Sequence, residues 1–229
     1  MTEDKSGPRR SQLAQGRSRD TRQAIVKAAL ELWGERGFDV GVDETTAEEI
    51  AARAGVAKAT FYYHFARKED VLLATSWLTA KVFYEDVLKA LIQGGSTDEV
   101  LDDVTVKLSR RIEKVPRSAL RRMMQVMSDG AERRDDGEQL RFQRGFAVIL
   151  LQGQQNGDVP QTLTPADLGM MFEVMLMSSI RAWAYQDDFR LLDVLRRRFA
   201  VLLAGARGVT EDALAGGGSE SAGLRGAAG

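Results

Sequence analysis

Apolar side chains recur every three or four residues along almost the whole chain, and the alternating runs that mark strands are nearly absent. The pattern predicts an all-α protein. Ile25, Ala28, Ala29, Leu32 and Trp33 form one face of a first helix. That helix is expected to stop at Gly37-Phe38, where glycine can turn left-handed and the aromatic can fold back on the last turn. A polar loop is expected from Asp39 to Glu44. Thr45 and Thr46 precede Glu48 and Glu49 by three residues, so either threonine can open a second helix with a capping box. Ala54-Gly55-Val56 ends that helix, and a third short one covers "GVAKATFYYHF", residues 55–65.

Beyond Arg67 the amphipathic segments lengthen, to roughly 68–92, 97–114, 117–131, 138–155, 165–186 and 189–206. Turn chemistry separates them: Gly94-Gly95-Ser96, Pro116, Asp135-Asp136-Gly137, Asn156-Gly157 and Asp187-Asp188. The fifth segment begins with Thr164 as cap, Pro165 at the first helical position and Asp167 against the helix dipole. The expected organisation is a flexible basic arm (1–19), a small three-helix module (20–67), a larger helical domain (68–207) and a disordered Gly/Ala/Ser-rich tail (208–229).

Two short helices joined by a three-residue turn with a glycine make a helix-turn-helix. Helical spacing then sorts residues 55–65. Ala57, Phe61 and Phe65 stand at i, i+4, i+8 and are expected to face inward with Ile50 and Val56. Lys58 with Tyr62, and Ala59 with Tyr63, share an outward face, and Thr60 and His64 flank it. Tyrosine rings can meet thymine methyls, and a lysine can reach guanine acceptors in a major groove. Thr60 and His64 suit phosphate oxygens, which fix register without reading sequence. Local packing or capping is an equal reading for His64.

Charge distribution sharpens this more than the total does. The formal net charge is −1. Yet residues 55–68 hold Lys58, Arg67 and Lys68 with no acid, and residues 1–22 hold six Lys/Arg against Glu3, Asp4 and Asp20. The arm either adds phosphate contacts or is a solvated tail. Of the 229 residues 44 % are hydrophobic, enough to bury a core. The chain lacks cysteine and has a single histidine, so thiolate chemistry, disulfides and a metal site are not expected. Asp102-Asp103 and Asp135-Asp136 are adjacent pairs whose side chains diverge on a helix, a poor start for an enzyme. With no secretory pattern and no apolar run of ~20 residues, a soluble cytoplasmic protein without membrane or cofactor is expected.

The stretch "TTAEEIAARAGVAKATFYYHFARKEDVLLA" (45–74), preceded by "AIVKAALELWGERGF" (24–38), resembles the DNA-binding domain of TetR-family transcriptional regulators. That resemblance implies three N-terminal DNA-binding helices, a fourth linking them to a divergent ligand-binding domain, and a homodimer built on the last two helices. Carried onto this chain, Lys58, Ala59, Tyr62 and Tyr63 would meet bases or nearby backbone, while Thr46, Thr60, His64 and Lys68 would meet phosphates. The 39–44 loop is longer than is usual in such proteins, and Ala57 replaces a common capping serine. Ala47 stands where many members carry a polar base reader, and Glu44, Glu48 and Glu49 crowd the second helix with negative charge, which DNA would repel if they faced it.

The implied partners are an operator in double-stranded DNA and a small apolar effector, which together would make a ligand-released repressor. A protein of the same fold binding DNA without an effector, in chromosome organisation, is the rival reading. Seven of the eight methionines lie in two groups, Met123, Met124 and Met127, then Met170, Met171, Met175 and Met177. With Trp77, Tyr84, Phe142 and Phe146 they can wall an effector pocket, Met123 and Met127 above all; ordinary core packing fits the same spacing. Leu168, Phe172, Met175, Ser179 and Trp183 share one face near the C-terminus, as do Leu192, Leu195, Phe199 and Leu202. Those faces form either half of an intersubunit four-helix bundle or an internal core.

Overall fold

The helical periodicity is realised throughout the residues that the computed structural model describes, 7–129 and 141–210. Ten helices follow one another there: α1 (Gly7–Arg36), α2 (Phe38–Glu44), α3 (Ala47–Arg53), α4 (Lys58–His64), α5 (Asp70–Gln93), α6 (Thr97–Ile112), α7 (Arg117–Asp129), α8 (Phe142–Gln155), α9 (Pro165–Tyr185) and α10 (Leu191–Gly208). Caps set several boundaries. Thr46 opens α3 and Ser96 opens α6, each with a complete capping box to a glutamate three residues on. Thr164 accepts from the Asp167 N–H at 3.1 Å at the start of α9, with Pro165 just inside. Gly37 ends α1 at φ 82°, and a Phe38 ring carbon comes within contact range of a side chain at Gly34.

Two local differences from the sequence pattern stand out. Residues 7–19, expected in a flexible arm, continue α1; the rest of that arm, the turn at Asp135-Asp136-Gly137 and residues 211–229 of the tail lie outside the described residues. Residues 39–44, expected as a loop, form α2. Its reason is tertiary. Val42 is fully buried, and Gly41 sits so close to α1 that an added Cβ would lie 2.9 Å from the Trp33 carbonyl oxygen. Asp43 also pairs with Arg122 of α7.

By contacts the described residues divide into two compact units, and the division does not follow chain order. The first takes residues up to Thr79 together with Val115 to Asp129; the second takes Ala80–Lys114 and the residues from Arg141 onward. The expected boundary at residue 67 thus falls inside the first unit, and α5 contributes to both. The first core gathers Ile25, Ala29 and Trp33 of α1, Val42 of α2, Ile50 of α3, Phe61, Phe65, Leu72 of α5 and Val126 of α7. α7 therefore belongs to the first unit's core.

In the second unit, five phenylalanines form a continuous ring cluster. Phe83 meets Phe142 and Phe146 at centroid distances of 5.5 and 4.9 Å, and Phe146 meets Phe172 and Phe199 at 5.4 and 5.3 Å. Close helix approach makes this possible, because a Cβ on Gly169 of α9 would fall 2.6 Å from the Gln143 carbonyl oxygen of α8. The bundle fixes which faces of the last two helices point inward. Leu168, Phe172, Ser179 and Trp183 of α9 and Leu195 and Phe199 of α10 are buried within the chain itself. Of the two faces read as either an intersubunit bundle or an internal core, these residues are internal core, while Met175 is exposed and Leu192 and Leu202 are half-buried. The large apolar residues left outside are Met170, Met171, Val174, Met175 and Tyr185 on α9 and Val201 on α10.

Candidate nucleic-acid interface

The turn between α3 and α4 rests on Gly55, at φ 71°, and on the Val56 N–H donating to the Ala51 carbonyl at 2.9 Å. A residue with a Cβ rarely adopts that backbone conformation, so the glycine lets two short helices meet at a tight angle. α4 is then anchored from below by Phe61 and Phe65, both buried. Ala57 is exposed, contrary to the inward position expected. It is the N-cap, with extended φ −70° and ψ 150°, so it precedes the helical spiral and escapes its periodicity.

Above those anchors Lys58, Ala59, Tyr62 and Tyr63 are all exposed, Tyr62 at 48 % and Tyr63 at 80 %. Tyr62 is held edge-on to Phe61 at 5.5 Å, so the exposed ring stands on a buried one. Thr60 and His64 are half-buried on the flank. The His64 carbonyl accepts from the Arg22 guanidinium at 3.1 Å, and the ring lies edge-on to Tyr63 at 5.1 Å. Partial burial, aided by the charge of Arg22, holds the imidazole pKa below its ordinary value. Arg22 itself packs over the rings of Phe65 and Trp77, at 4.4 and 5.2 Å. Its clamp on the end of α4 was not legible in the sequence, where it counts as one more basic residue.

The glutamates resolve into distinct roles. Glu49 turns back to α1, where its carboxylate meets Arg36 at 2.6 Å and accepts from the Thr46 N–H at 2.7 Å. The Arg36 bond first, and then the Thr46 backbone bond, hold its pKa at about 2. Thr46 is accordingly committed to the α3 cap, with its hydroxyl accepting from the Glu49 N–H at 3.2 Å. Glu48 instead reaches the reading helix and forms an ion pair with Lys58. That hydrogen bond raises the lysine pKa and lowers the glutamate's.

Lys68, expected at a phosphate, donates to the carbonyls of Asp43 and Thr45 at 2.7 and 2.8 Å, where α2 ends. An ammonium there complements the negative end of the helix dipole, leaving one of its three donors.

The residues suggested for an effector divide between the units. Trp77 and Met123 pack half-buried on the first core, and Met127 is exposed. Phe142 and Phe146 belong to the ring cluster of the second unit, and Tyr84 lies under Arg144 at 5.4 Å. No described helix is long and apolar enough to cross a membrane.

A glycine-turned helix pair with an aromatic, cationic outward face, at the head of an all-helical chain, defines a helix-turn-helix DNA-binding regulator. Comparison with known proteins narrows the class. Residues 25–75 match the model of the bacterial regulatory proteins of the tetR family. The transcriptional regulator TcmR of Streptomyces glaucescens is 39 % identical over 69 residues, covering 30 % of this chain and 29 % of that protein. Across the curated relatives the matched part is 18 % to 44 % of their length. The Thermus thermophilus TetR-family repressor FadR, solved with lauroyl-CoA, aligns over 80 % of this chain and 94 % of its own, with 28 % identity and a TM-score of 0.66. SmeT, repressor of the Stenotrophomonas maltophilia efflux pump SmeDEF, shares the fold at 22 % identity and a TM-score of 0.57, over 81 % of this chain and 91 % of its own. Residues 25–75 are thus a tetR-family DNA-binding domain, and the described residues as a whole share the fold of a TetR-family transcriptional repressor.

Proposed function

We propose that the protein is a homodimeric repressor that reads an inverted-repeat operator with α4 and is released by a small apolar ligand. The carrying observation is the contrast on one short helix. Phe61 and Phe65 are locked in the core while Tyr62, Tyr63 and Lys58 stand exposed beside them. Ordering two adjacent tyrosines in water gains a monomer little, whereas a major groove offers their hydroxyls and rings partners. One helix of this length covers few base pairs, so useful specificity needs a second copy. The outward apolar residues of α9 and α10 supply a surface for that pairing.

The effector is expected to present an apolar group, and the lauroyl-CoA held by the Thermus repressor makes acyl thioesters, apolar in the acyl chain though charged in the CoA head, the first compounds to titrate. The closely packed ring cluster favours a second reading, DNA binding without an effector. DNA flanking the coding region, probed by footprinting with and without acyl thioesters, tests both. The repressor reading expects a protected inverted repeat that is lost on ligand addition. Protection that no apolar ligand changes supports the effector-free reading, and absence of any sequence preference overturns both.

A further inference from the structure

Three features of the first unit remain outside this account: the Arg22 clamp, the docking of α2 on α7, and the Glu48–Lys58 ion pair. The last lies on the reading face itself. Both side chains are about half exposed, 57 % for Lys58 and 51 % for Glu48, so the pair stands in water where an isolated surface ion pair is worth little. Stability therefore does not explain it. Its neighbour Glu49 turns away to Arg36 and Thr46, and Glu35 binds Arg53 through both oxygens at 3.0 and 3.1 Å. Glu48 is the carboxylate on α3 that meets the reading helix. Lys58 lies 5.9 Å from the Tyr62 ring centroid, so lysine, carboxylate and tyrosine form one continuous patch.

We propose that Glu48 determines DNA specificity by reserving Lys58 for a G·C base edge and denying it to phosphates. The inference rests on α4 being the DNA-reading helix, as proposed above. Chemistry sets the choice of base pair. The major-groove edge of G·C offers two acceptors on guanine, O6 and N7, beside one donor on cytosine, N4. A lysine paired with a glutamate offers the complement, a cationic donor beside an anionic acceptor. A phosphate offers acceptors alone. A lysine moving to it must abandon Glu48, and the freed carboxylate then faces a polyanion. Non-specific binding, which comes from phosphate neutralisation, is thereby weakened, while a correctly placed G·C pair satisfies both partners.

The test uses full-length protein and an operator enriched by the wild type from a random DNA pool. Binding of that operator and of a scrambled duplex is followed against salt for wild type, Glu48→Gln, Lys58→Met and the double variant. Glu48→Gln is expected to bind scrambled DNA several-fold more tightly, with a log–log salt slope steeper by about one, as one more cation releases counterions. Its ratio of operator to scrambled affinity should fall, and reselection with this variant should lose a G·C preference at one position per half-site. In the Lys58→Met background the same substitution should change nothing beyond the loss of a negative charge. Circular dichroism melting checks that each variant is folded. Equal changes on operator and scrambled DNA, or a Glu48→Gln effect as large without Lys58 as with it, overturn the proposal and leave the repressor reading intact. Failure of wild type to enrich any sequence would instead defeat the repressor reading itself, and this proposal with it.

Discussion

Tyr62 and His64 carry the most direct consequences at the level of single residues. Tyr62 stands on Phe61 rather than floating in solvent, so truncating it removes a pre-ordered contact. Tyr62→Ala is expected to cost about 1–3 kcal/mol on the operator and much less on scrambled DNA, measured by anisotropy titration. The fold should survive, because the buried anchors are untouched. His64 is the chain's single histidine, so its titration can be read without assignment. Burial and Arg22 depress its folded pKa below the ordinary value of 6.5. The unfolded chain thus takes the proton first, and the contribution of the neutral ring is present above pH 6.5 and lost as pH falls below it. A phosphate at the flank would reverse that preference. Operator binding near and below pH 6.5 should then take up a proton, seen calorimetrically in buffers of differing ionisation enthalpy, and His64→Gln should abolish the uptake. Binding without proton uptake would show that the ring only packs.

At the scale of elements, α2 is the helix that the sequence pattern did not predict. Gly41 against the Trp33 backbone, Lys68 on the last carbonyls and Asp43 on Arg122 hold it from three directions. Its position is therefore sensitive to a single carbon. Gly41→Ala should destabilise the first unit by about 1–3 kcal/mol in urea unfolding, since the obstructing atoms are backbone and cannot swing aside. Gly34→Ala, in α1 but with room for the methyl, should instead add about 0.5–1 kcal/mol through helix propensity. Similar effects from both would refute this account of why α2 sits where it does. The same logic changes what Lys68 reports. Lys68→Ala should lower the unfolding midpoint of the first unit and leave the salt slope of DNA binding nearly unchanged.

For the whole molecule, the proposed repressor needs two copies of α4 held together. A dimer built on α9 and α10 would draw on their exposed apolar residues, Met170, Met171, Val174, Met175, Tyr185 and Val201, because the opposite faces are filled by the chain's own core. Val174, 56 % exposed in the single chain, is a suitable probe. Val174→Glu should leave helicity and melting nearly intact while giving a monomer in sedimentation velocity. The same variant should lose cooperative binding to half-sites about one helical turn apart, ~34–36 Å. A dimer that withstands this charge would place the interface elsewhere.

What the sequence determined by itself was whatever a few neighbouring residues encode. The all-helical class, the helices beyond residue 67 to within a few residues, the Gly55 turn, the cap at Thr164 and a threonine cap at 45 or 46 follow from periodicity, backbone strain and short-range hydrogen bonds. The outward set Lys58, Ala59, Tyr62 and Tyr63 followed too, because helix geometry fixes which side chains share a face. Ala57 broke the pattern because a cap residue lies outside the spiral. Tertiary structure alone decided the rest. Residues 39–44 read as a loop because their polar surface hides one buried valine and one tightly packed glycine, and only the approach of α1 and α7 makes a helix the better state. Charges paired across the sequence, Arg22 with the end of α4, Lys68 with the end of α2 and Glu48 with Lys58, carry no local signature. An apolar stripe on α9 or α10 buries equally well against its own chain or another. Which face does which depended on where five phenylalanine rings could close into one core.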